Sequence, residues 1–105
     1  MADWRKSPPE TQAVVSGQVS TVPQIALGIE ELAMGYPDWW PNKPDTYWLM
    51  RLMQEVGEAA SALAGDHEGP LNWELCQIAG ICMNWLGRRN MRYADTPADG
   101  GERDE

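Results

Sequence analysis

Apolar side chains recur at the three- and four-residue steps of an α-helix in three separate stretches of this chain. Val22, Ile25, Ile29 and Leu32 form the first stripe. Leu49, Leu52, Met53, Val56, Ala60 and Leu63 form the second, and Leu71, Leu75, Ile78, Cys82 and Trp85 the third. The punctuation agrees with the periodicity. Thr21-Val22-Pro23-Gln24 supplies a capping residue, a proline tolerated in the first turn and a glutamine at the capping-box position, and Gly35 followed by Pro37 closes that helix. Asp45 or Thr46 caps the second helix and Gly65 ends it. The third is predicted from about Pro70 or Asn72 to Leu86, stopping at Gly87. The expected fold is all-α, an oligomeric bundle of three to four helices.

The stretches between and around these stripes have a different texture. Residues 1–20 mix Ser7, Pro8, Pro9, Ser16, Gly17 and Ser20 with scattered valines, a poor helix and a poor strand, and are expected to form an arm ordered on a partner subunit. Three prolines and the adjacent Trp39 and Trp40 make 35–45 an irregular loop. Asp66 to Pro70 is a turn in which the lone His67 is assigned no role. After Tyr93 the chain is mostly Asp, Gly, Pro, Ala and Glu, which predicts a disordered acidic tail over 94–105. The folding unit is therefore 21–93.

Composition narrows the partners. A chain of 105 residues with long irregular ends has a thin core, yet it carries six tryptophans and a generous supply of Leu, Ile, Val and Met. The surplus apolar surface is expected to be covered by a second copy, in a homodimer or homotetramer. A net charge of −8, half of it in the tail, argues against nucleic acid, which demands a basic face. No apolar run approaches the ~20 residues of a membrane span, and the N-terminus lacks a charged-then-apolar signal pattern. Cys76 and Cys82 sit six residues apart on one helix, roughly 9 Å along its axis, too far to pair. Free thiols fit a reducing compartment, and the expected location is cytoplasmic.

The candidate chemistry lies on the second and third helices. Glu55 and Glu58 are three residues apart, as are Glu74 and Gln77, so each pair stacks on one helical face. Two such helices side by side bring three carboxylates and one amide to one point. Crowded carboxylates in an interior repel one another unless a cation sits between them, and a hard divalent ion is the simplest occupant.

The segments Glu55-Val56-Gly57-Glu58-Ala59-Ala60 and Glu74-Leu75-Cys76-Gln77-Ile78-Ala79 resemble the MazG-like, all-α nucleoside triphosphate pyrophosphohydrolases. That family's pattern is Glu-Glu-x-x-Glu, a variable spacer, then Glu-x-x-Asp. Here the spacer runs over the fifteen residues from Ala59 to Trp73, enough to end one helix and begin the next. The resemblance covers roughly 20–90. It implies a metal-dependent enzyme that cuts a nucleotide between its α- and β-phosphates, with Glu55, Glu58, Glu74 and Gln77 as ligands to Mg²⁺ or Mn²⁺ and Glu55 and Glu58 as catalytic groups. Gln77 stands where the family usually has Asp, and Gln54 where it has the first Glu. Each replaces a carboxylate by an amide; Mg²⁺ accepts a carbonyl ligand but is held less tightly by a neutral one. The alternative is a non-catalytic helical oligomerisation or nucleotide-binding module that keeps the fold and has lost the full carboxylate set.

Substrate-binding residues are read from residue type. Trp39, Trp40 and Trp48 are rings able to hold a base, against the reading in which Trp39 and Trp40 cover the base of a small core. Lys43 is a point charge for phosphate. Arg88 and Arg89, clustered with Arg92 after the third helix, either form a solvated basic helix end or reach phosphate from a neighbouring chain.

Overall fold

The computed structural model describes residues 3–37, 42–65 and 69–94, with the backbone alone for 92–94. All regular structure among them is helical. A 3₁₀ turn, Trp4–Lys6, precedes helices α1 (Pro9–Val15), α2 (Val22–Met34), α3 (Asp45–Ala64) and α4 (Leu71–Ala94).

Local chemistry sets most of these boundaries. At the start of α2 the backbone N–H of Gln24 donates to the Thr21 hydroxyl oxygen at 3.4 Å, and that hydroxyl donates to Gln24 Oε1 at 2.7 Å. The capping residues thus satisfy each other as well as the helix end. Gly35 caps its other end, its N–H donating to the Leu32 carbonyl. Gly65 closes α3 at φ +83°, in the left-handed region that glycine enters without steric cost.

Two expectations are corrected. Residues 9–15, read as part of an arm, form α1 and pack within the same chain against α2 and α4. Thr11 is buried and its hydroxyl donates to the Gly28 carbonyl at 2.7 Å. Asn72 at the start of α4 donates to the Val15 carbonyl at 3.2 Å. The short segment is thus held by tertiary contacts that its periodicity does not announce. Nor does Gly87 stop the last helix, which continues to Ala94. A mid-helix glycine costs about 1 kcal/mol relative to alanine. Contacts beyond it offset that cost: Arg89 Nη1 donates to Asp45 Oδ2, and Arg88 Nη2 to Asn42 Oδ1 at 3.2 Å.

α4 is the central helix. α3 lies along one side of it, while α2 and α1 pack together on another, and Asn84 ties α4 to α2 through the Ala33 carbonyl at 3.0 Å. Val15, Trp73 and Cys76 form a core cluster with Trp4, Val14, Ile29 and Leu32 packed around it. α3 makes its extensive contacts with α4 alone. Its buried residues are Trp48, Glu55 and Ala59, spaced by seven and four, so the face turned inward carries a glutamate at its middle. The apolar stripe of this helix points elsewhere: Leu49, Met53, Val56 and Leu63 are exposed, Leu63 by 74%. Leu75, Cys82 and Leu86 are likewise exposed on α4. These exposed side chains are left uncovered by the described residues.

Trp39, Trp40, His67 and residues 95–105 lie outside the described residues.

Candidate metal centre

Glu55 comes from the middle of α3 and Glu74 from the first turns of α4, and the antiparallel packing of these helices sets them side by side. Glu58, one turn beyond Glu55, completes the group. One carboxylate oxygen of each lies within 4.8 Å of the others. Glu74 is fully buried, Glu55 is 4% exposed and Glu58 is half-buried. The three therefore form a shallow well whose floor is dry and whose open side is Glu58.

Isolated carboxylates in such a place are unfavourable. The molecule partly relieves this by protonation. Burial, above all, pushes the Glu55 carboxyl up from its ordinary 4.5 to about 8. A hydrogen bond to Glu74 and the negative charges of Glu58 and Glu74 act in the same direction, while Arg51 opposes them. A neutral Glu55 donates its proton across to Glu74. Even so, Glu55 Oε1 and Glu58 Oε1 are buried with no hydrogen-bond donor among the described residues. These orphaned oxygens of α3, grouped with the Glu74 carboxylate of α4, are what a divalent cation would satisfy, and the carboxylate set is the hard-oxygen donor chemistry Mg²⁺ and Mn²⁺ prefer. The residues fit the group.

Around the carboxylates stand side chains that residue type did not single out. Arg51 Nη2 lies 4.0 Å from Glu55 Oε2, and its Nη1 donates to Gln54 Oε1 at 3.0 Å. Gln54 is exposed and turned to Arg51, on the rim of the site. The signal for Arg51 was present in the sequence as an i, i+4 pair with Glu55. Tyr36, at the end of α2, donates its hydroxyl to the Gln77 backbone carbonyl at 3.3 Å. Its phenol is held well above the usual range, first by burial and then by the Glu55 charge. Gly80 permits this approach, since a Cβ there would stand 2.7 Å from the Tyr36 oxygen. Gln77 follows Glu74 by one helical turn and is half-buried.

The remaining candidates lie elsewhere. Trp48 is fully buried against Tyr47 with no ring face open to a ligand. Lys43 sits over the Tyr47 ring at 5.3 Å. Arg89 and the Trp85 indole both donate to Asp45, which anchors the start of α3 to the far end of α4. At ~1.5 Å per residue, Arg89 is roughly 22 Å along α4 from Glu74, so Arg88 and Arg89 do not reach the carboxylates of their own chain.

No protein-family model, curated protein or solved structure matches the chain. Among the described residues, no helix is long and apolar enough to cross a membrane.

Proposed function

We propose that this chain is a divalent-metal-dependent nucleoside triphosphate pyrophosphohydrolase of the MazG-like kind, working as a homo-oligomer. The observation that carries the reading is the convergence of Glu55, Glu58 and Glu74, two of them buried, from a helical hairpin. The spacing of these residues, Glu-x-x-Glu on one helix and Glu-x-x-Gln on the next, supports the same reading.

In this account Glu55, Glu58 and Glu74 hold Mg²⁺ or Mn²⁺, with the Gln77 amide oxygen as a fourth, neutral ligand. The ion, when bound, supplies charge neutralisation at the phosphates and acidifies a bound water. The protein's own contributions are positional. The buried floor formed by Glu55 and Glu74 excludes water from one side, and burial fixes their rotamers. Glu58, the carboxylate nearest solvent, is placed to accept the proton of an attacking water as general base. Arg51, beside Glu55, offers a planar donor fork to phosphate oxygens on the rim.

The oligomer follows from the unpartnered stripes. A second copy laid on Leu49, Met53, Val56 and Leu63 of α3 covers side chains that one chain leaves in water.

The test is pyrophosphate release from a panel of ribo- and deoxyribonucleoside triphosphates with Mg²⁺ or Mn²⁺. The expected result is equimolar monophosphate and pyrophosphate, abolished by Glu55→Gln. No release from any nucleotide, by a protein that nonetheless binds metal, favours the non-catalytic module.

A further inference from the structure

A cavity of about 740 Å³ opens between the N-terminal 3₁₀ turn, the end of α2 and the α3–α4 hairpin, within the range of small-molecule sites. Part of its wall is Arg51 and Gln77. Arg51 is the residue 4.0 Å from Glu55, and Gln77 stands one turn after Glu74, so the cavity adjoins the carboxylate well. Tyr36 also lines it, its hydroxyl donating to the Gln77 carbonyl. Another part of the wall comes from the N-terminal turn and includes Lys6. The Lys6 ammonium makes no hydrogen bond or ion pair with any described residue, although Asp3 and Glu31 also line the space.

We propose that this cavity seats the substrate of the carboxylate centre and that Lys6, carried by the N-terminal turn, is a binding residue for its polyphosphate chain, acting together with Arg51. The proposal rests on the pyrophosphohydrolase reading. A triphosphate with one end at the carboxylate well would bring its remaining oxygens to the rim, where Arg51 stands, and to the cavity. A flexible ammonium with no competing partner among the described residues is suited to meet them. The acceptors Asp3 and Glu31 repel phosphate and accept from hydroxyls or amino groups, which orients the sugar and base toward them and the phosphates toward Lys6 and Arg51. The residues that Lys43, Arg88 and Arg89 were expected to be are in this view Lys6 and Arg51.

The probe is inorganic tripolyphosphate titrated with Mg²⁺ present, by calorimetry, into the parent and the variants Lys6→Ala, Lys6→Glu and Lys6→Arg. Lys6 is exposed and its ammonium makes no hydrogen bond or ion pair with a described residue, so all four proteins should fold. The dissociation constant is expected to rise about tenfold in Lys6→Ala, the scale of one charge-assisted hydrogen bond. It should rise further in Lys6→Glu and return toward the parent in Lys6→Arg. In pyrophosphate release the same series should move KM and leave kcat nearly constant. The melting-temperature rise produced by Mg²⁺ alone should be equal in all four. If the parent does not bind tripolyphosphate, or the three variants bind it as the parent does, the cavity assignment is overturned while the metal response stands. If the parent shows neither metal response nor turnover, the pyrophosphohydrolase reading has failed.

Discussion

At the scale of single residues, the carboxylate centre trades charge against burial, and its titration should report this. The folded-state value of Glu55 is raised above its unfolded one, so its contribution to stability is fully present below about 4.5 and is lost as pH rises through about 8. In chelator, the melting temperature of the parent should therefore fall across that window more steeply than that of Glu55→Gln, which has no proton to lose. Parallel pH profiles for the two proteins would contradict the account. Metal and proton compete for the same oxygens, so affinity for Mg²⁺ should increase over the same range. Gln77→Asp adds a fourth negative charge beside the cluster. It should tighten Mg²⁺ binding several-fold in a direct titration and lower the melting temperature of the metal-free protein.

At the scale of elements, α1 lies close against α2 at Gly28. A Cβ on Gly28 would stand 2.5 Å from Val14 Cγ2 and 2.7 Å from the Glu10 carbonyl oxygen. Gly28→Ala should therefore destabilise the protein by about 1–3 kcal/mol, the scale of overpacking, measured by denaturant unfolding, although alanine is the better helix former. An unchanged midpoint would mean that α1 is not docked there. This element is also where sequence reasoning stopped short. α2 and α3 announced themselves through long stripes and caps at Thr21, Gly35 and Gly65, whereas the seven residues of α1 span two turns between prolines and a glycine. Their stability resides in contacts of Thr11 with Gly28 and of Val15 with Trp73 and Cys76, partners distant in sequence. The carboxylates were legible for the opposite reason, because a three-residue spacing fixes a shared helical face whatever the partner. Arg51 was legible as an i, i+4 neighbour of Glu55, but Lys6 was not, since it joins the cavity only after α1 folds back. Periodicity likewise identified the apolar side of α3 without saying what covers it. The side turned toward α4 is instead that of Trp48, Glu55 and Ala59.

At the scale of the whole molecule, the exposed stripe of α3 is the face that the proposed oligomer covers. Met53 is 65% and Val56 51% exposed in one chain, on the same helical face. Light scattering should report a dimer or tetramer for the parent, and the double substitution Met53→Lys, Val56→Lys should shift it to monomer, since two buried charges with no partners oppose association. A parent that stays monomeric when concentrated would remove the oligomer from the account. Cys82 shares the exposed face of α4 with Leu75 and Leu86, whereas Cys76 is buried and its thiol is held above its usual range by that burial.

The central claim is that Glu55, Glu58 and Glu74 hold one divalent ion, and a thermal melt of the parent and Glu58→Gln, each in chelator and in saturating Mg²⁺, tests it most directly. A ligand that binds only the native state must raise its melting temperature. The parent should gain several degrees on adding Mg²⁺. Glu58→Gln should be as stable as the parent or more so in chelator, because the Glu58 charge no longer crowds the other two carboxyl groups, and should gain little from the metal. A variant that responds to Mg²⁺ as the parent does, or a parent that does not respond at all, would contradict the claim.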